Sequence, residues 1–136
     1  MRVLRLMGIV LALSSWVLML PTAPVQASAP EVRQTTVTAN WPAAPLPMNE
    51  DWDLTVQVSP AQAGRVVRLD VYGQGGPGWS RLDSARTDSA GRATVTPFTY
   101  CSDDMCTRFT YKYRIVVPAS GGATAAQTTG RVTVVR

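Results

Sequence analysis

Between residues 35 and 136 apolar and polar positions alternate in short runs, each closed by a turn signal. Alternation with a period of two is the mark of a half-buried strand. In Thr35–Trp41 it sets Val37, Ala39 and Trp41 against Thr36, Thr38 and Asn40. In Asp53–Val58 it turns Leu54, Val56 and Val58 inward. In Arg65–Tyr72 the inward set is Val67, Leu69 and Val71, with Arg68, Asp70 and Tyr72 outward. Phe109, Tyr111, Tyr113, Ile115 and Val117 form the clearest core stripe, and Thr128–Val135 closes the series with Val132 and Val134 inward.

The middle of this pattern is a hairpin, Trp79 to Tyr100, turning at Thr87–Gly91. Asp88 can bond its own downstream backbone there, and Gly91 can take a positive φ. Trp79 and Leu82 are three apart, so a bulge near Ser80–Arg81 is needed to keep both on one face. Pro42, Pro45 and Pro47 exclude a central strand from Pro42–Asp51. The pattern predicts an all-β fold: a seven-stranded antiparallel immunoglobulin-like β-sandwich.

The N-terminal residues follow a different rule. Arg2 and Arg5 precede an apolar run, Met7–Leu20, and a small-residue stretch ending Val25-Gln26-Ala27. That layout predicts a signal peptide, 1–27, cleaved after Ala27. The run is shorter than the ~20 residues of a spanning helix, so no stable membrane span is expected after cleavage. Residues 28–34 are expected to be a flexible lead-in and 35–136 the sandwich domain, secreted and monomeric.

Three segments resemble bacterial immunoglobulin-like and fibronectin-type-III-like modules: Val58–Leu69, Trp79–Val95 with its "W…L…T-D…G" hairpin, and Tyr111–Val117 with "Y-x-Y-R". The resemblance implies a secreted or cell-surface β-sandwich. It departs from antibody domains in lacking a third-strand tryptophan and an inter-sheet cysteine bridge. A weaker similarity is to neocarzinostatin-type apoproteins, which also carry a late C-x4-C disulfide.

Composition narrows the chemistry. Histidine is absent, which removes the commonest general base and metal ligand. A serine nucleophile has no evident base, so the chain is read as non-enzymatic, with no cofactor and no metal site. Glu50, Asp51, Asp53, Asp103 and Asp104 could offer oxygen ligands to calcium, but no ligand repeat supports it. Cys101 and Cys106 are expected to form a short-loop disulfide in an exported protein. The net charge is +4. Arg65, Arg68, Arg81, Arg86, Arg92, Arg108 and Arg114 lie on different strands, so no clustered basic face and no nucleic-acid partner are expected.

Antiparallel succession places the connections Pro42–Trp52, Gly73–Gly78 and Phe98–Arg108 at one pole. Binding residues favour loops on a rigid scaffold. The expected interaction surface is therefore that pole, with Trp52, Trp79, Asp103, Asp104 and Met105 as candidates. Its partner would be an extracellular protein or glycan, bound in adhesion. The alternatives are a small-ligand carrier or a secreted inhibitor. The opposite pole is expected to hold plain turns.

Overall fold

A computed structural model describes residues 24–73, 76–99 and 107–136. The chain is all-β, with no helix among the described residues. Its strands are β1 (Thr36–Ala39), β2 (Leu46–Pro47), β3 (Leu54–Ser59), β4 (Val66–Tyr72), β5 (Trp79–Arg86), β6 (Arg92–Val95), β7 (Arg108–Val117) and β8 (Ala126–Val135). They form a three-stranded sheet, β1-β3-β6, and a five-stranded sheet, β2-β8-β7-β4-β5.

Two details correct the sequence reading. The described residues hold eight strands, not seven, and one pairing is parallel. Both follow from β2, which pairs with Val134 and Val135 of β8. Prolines bar a central strand, but β2 is an edge strand, where the missing N–H faces away from the ladder. Met48 extends the contact by donating its N–H to the Val135 carbonyl at 2.7 Å. All other pairings between strands are antiparallel, and an isolated parallel bridge joins Arg33 to Ala123.

Alternation assembles the core as expected. Leu54, Val56 and Val58 of β3 and Ala93 and Val95 of β6 meet Val67, Leu69 and Val71 of β4 and Tyr111, Tyr113, Ile115 and Val117 of β7. Each large aliphatic side chain removed from water contributes about 1.5–3 kcal/mol before the entropy of ordering it. Trp41 closes one end, stacked on Tyr113 with ring centroids 6.3 Å apart. Its ring lies where a Cβ on Gly130 would sit. Phe109 ends the stripe, about half exposed, edge-on to Tyr111 at 4.8 Å.

The central hairpin turns where predicted. Asp88 Oδ1 accepts from the N–H groups of Ala90 and Arg92, both at 2.9 Å, and Gly91 has φ 76°. The bulge of β5 lies opposite Leu69/Asp70 rather than at Ser80–Arg81. Leu69 pairs with Asp83 and Asp70 with Arg81, so Leu82 is the extra residue. Leu82 packs on the core, while Trp79, paired with Tyr72, lies on the opposite face. The bulge therefore separates Trp79 from Leu82 instead of uniting them.

The pole expected to carry plain turns is closed by a buried cation. Arg65 continues the inward alternation of Val67, Leu69 and Val71 and is only 2% exposed. Its Nη2 donates to Thr35 Oγ1 at 2.9 Å and to the Thr124 carbonyl at 3.3 Å, while Nε and Nη1 are buried without partners. Thr87 adds a second tie, accepting from the Arg65 N–H at 3.0 Å. The lead-in is also held at its end. Arg33 donates its N–H to the Gly122 carbonyl at 2.9 Å and accepts from the Thr124 N–H at 2.9 Å.

Candidate functional site

Residues directly opposite on neighbouring strands share a sheet face. Applied to the five-stranded sheet, this rule gathers cations that are far apart in sequence. Arg68 is outward on β4, opposite Ser84 and Val116. Arg81 and Arg86 are outward on β5, opposite Asp70 and Val66. Lys112 and Arg114 are outward on β7, opposite Arg131 and Thr129 of β8. Arg108, at the start of β7, has the same parity. The one acid on the strands of this face is Asp70. The outer face of the other sheet presents Thr36, Thr38, Thr55, Gln57 and Thr94, with Arg92 its one cation.

The arginines are indeed on different strands, as the sequence reading held. Arg68, Arg81, Arg86, Arg108 and Arg114, however, lie on the adjacent strands β7, β4 and β5, and period-two alternation points them the same way, whereas Arg65 is buried and Arg92 is on the other sheet. The absence of a clustered basic face is thus corrected. The missing step was strand order, which no local pattern carries.

Asp70 is the electrostatic centre of the face. It is 3% exposed. Its Oδ2 accepts from Arg114 Nη2 at 2.6 Å and Nε at 3.2 Å, and Arg68 Nη2 lies 3.6 Å away. One carboxylate holds two guanidiniums in fixed positions. Lys112 and Arg131 are directly opposite each other, an arrangement that costs a few tenths of a kcal/mol or more.

Aromatic rings fill the space between the cations. Tyr72, about half exposed, meets Trp79 edge-on with centroids 5.4 Å apart. The Arg114 guanidinium lies 4.5 Å from the Trp79 ring centre, and Lys112 Nζ lies 5.5 Å from both rings. These contacts stabilise the cations without neutralising them. The arrangement can attract and orient anions. It offers no nucleophile–base pair.

The structure separates the tryptophans that the sequence reading grouped. Trp52 caps the core, edge-on to Tyr113 at 6.2 Å, with its Nε1 buried and unpartnered. Trp79 is on the outer face. Asp103, Asp104 and Met105, and the Cys101 and Cys106 expected to form a disulfide, lie outside the described residues. At the predicted pole the first and fifth connections do meet. Asn49 donates its N–H to the Thr99 carbonyl at 3.3 Å, and a cleft of about 330 Å³ lies among Asn49, Glu50, Asp51, Phe98 and Thr99. Asp53 sits apart from it, its Oδ1 accepting from the Thr96 hydroxyl at 3.0 Å. No group of three or more metal-ligating side chains occurs among the described residues.

Burial pushes the Tyr113 hydroxyl well above the usual tyrosine range, and neighbouring Tyr111 adds to the effect. This ring serves the core rather than a site. Among the described residues no helix is long and apolar enough to cross a membrane. Compared with protein-family models, curated proteins and solved structures, the chain matches none.

Proposed function

We propose that the chain is an exported, non-catalytic binding module that docks on an acidic polysaccharide through the outer face of its five-stranded sheet. The observation that carries this reading is the asymmetry of the two outer faces. One gathers Arg68, Arg81, Arg86, Lys112, Arg114 and Arg131 around a single acid, and the other is a threonine surface. A field of one sign raises the local concentration of an opposite polymer. Exposed rings such as Tyr72 add an apolar surface on which a sugar can rest.

The immunoglobulin-like reading of the fold belongs to this proposal. Without the short β2, the strand orders β1-β3-β6 and β8-β7-β4-β5 follow the layer arrangement of such sandwiches. Export is proposed from the signal-peptide layout, with cleavage after Ala27. Residues 24–34 are exposed, which suits access by a peptidase. A carrier role is less well supported, because the space between the sheets is filled by Tyr113, Leu54, Leu69, Ile115 and the core valines.

Retention on dextran sulfate and on neutral dextran tests the proposal. The protein should bind the sulfated polymer alone and elute earlier as salt screens the face. Lys112→Gln with Arg131→Gln should weaken retention about tenfold, the equivalent of ~1.4 kcal/mol. Arg92→Gln, on the other outer face, should leave it unchanged. Equal retention on neutral dextran, or equal loss from Arg92→Gln, would overturn the assignment. Binding to an acidic protein but not to the polymer would also overturn it.

A further inference from the structure

The basic face is not uniform. At the corner where β4 and β5 begin and end, a cleft of about 390 Å³ opens beside Pro118, Ala119 and Ser120. Arg68, Arg81 and Arg86 line it together with Ser84, and no carboxylate does. We propose that this cleft is a discrete site for one tetrahedral oxyanion, a sulfate or phosphate group. The inference deepens the binding role above and rests on it for the source of that group, an ester on the polymer.

Three features separate this corner from a merely charged surface. First, its walls are fixed. Arg86 Nη1 donates to the Gly64 carbonyl at 2.8 Å, the Gly64 N–H donates to the Thr87 carbonyl at 2.7 Å, and the Thr87 N–H donates to the Arg65 carbonyl at 3.0 Å. The guanidinium of Arg86 is thus held at the rim by one of its five donors.

Second, Arg68 is incompletely satisfied. Its Nη2 lies 3.6 Å from Asp70 Oδ2, while its Nε is buried without any partner. The Arg68 side chain is nonetheless 30% exposed and lines the cleft, so its remaining donors can make charge-assisted bonds to an arriving oxyanion. Third, Pro118 and Ala119 close one side with apolar surface, which lowers the local dielectric and strengthens charge-assisted bonds. The planar forks of arginine suit sulfate and phosphate oxygens better than a lysine point charge does. Lys112, the chain's single lysine, lies elsewhere on the face.

The test is an NMR titration of the full-length mature protein at low chloride, following backbone amides and arginine Nε–H signals. Sodium sulfate and sodium phosphate should each give saturable shifts confined to Arg68, Arg81, Arg86, Ser84, Ala119 and Ser120. Arg81→Gln with Arg86→Gln should abolish them while the dispersed amide spectrum persists. Non-saturating shifts, or shifts spread equally over Arg108, Lys112 and Arg131, would overturn the site. Dextran sulfate added to the sulfate-saturated protein assigns the source. Displacement at the same signals supports the polymer ester, and persistence of bound sulfate overturns that source. If dextran sulfate is not retained while free sulfate saturates the corner, the polymer role fails and the oxyanion site stands.

Discussion

Single residues show how closely this core is fitted. Gly130 is opposite Tyr113 on the inner face, and a Cβ there would enter the Trp41 ring. A glycine within a strand marks a bulge or a close approach, and here the approach is aromatic. Gly130→Ala should expel Trp41 from its stack and destabilise the fold by about 1–3 kcal/mol. Urea unfolding should show the loss, and a red shift of tryptophan emission should show its cause. Thr129→Ala, one residue away on the outer face, should cost under about 0.5 kcal/mol. Equal stability of the two variants would remove the stack from the account. Arg65 was just as open to sequence reasoning. It lies two residues before Val67, so the alternation that turned Val67 inward also turns Arg65 inward. Its charge masked its place in the pattern.

At the level of strands, legibility followed the range of the signal. The stripe on β7 and the Asp88–Gly91 turn were readable because each is set by residues within a few positions. The bulge of β5 was expected, but its position depends on the partner strand. Trp79 therefore took the outer face, where it contacts Tyr72, Lys112 and Arg114. Strand β2 was hidden for a related reason. Two residues cannot show a period, and only β8 makes an edge strand of them.

Strand β4 also carries the counter-charge of the basic face. Asp70→Asn keeps the shape and removes the anion that two guanidiniums address. The variant should lose about 2–3 kcal/mol of stability, less than the 3–5 kcal/mol of a fully buried pair because both arginines are partly exposed. Added sodium sulfate should restore more stability to the variant than to the parent, because the anion replaces the lost carboxylate. A variant as stable as the parent in low salt would show that Asp70 does not organise the face.

For the whole molecule, the two sheets divide the work. The interior between them sets stability, and the outer face of the larger sheet sets charge. These can be probed separately by pH. Tyr113 is fully buried, contacts Trp41, Trp52 and Tyr111, and directs its hydroxyl to the Phe98 carbonyl at 3.4 Å. Desolvation holds its ionisation above the ordinary value of 10.0. Below that value the hydroxyl is protonated in both folded and unfolded chains, so the shift has no effect on stability. Above it the unfolded chain releases the proton and the folded chain retains it. The unfolded state then binds fewer protons, and stability falls as pH rises, by up to ~1.4 kcal/mol per pH unit from this group. Chemical unfolding at a series of alkaline pH values should show that slope. Tyr113→Phe should flatten it while leaving dextran sulfate retention at neutral pH unchanged, since the ring serves the core and the arginines serve the face. A slope unchanged by Tyr113→Phe would place the alkaline transition elsewhere. Altered retention would show that core and face are coupled.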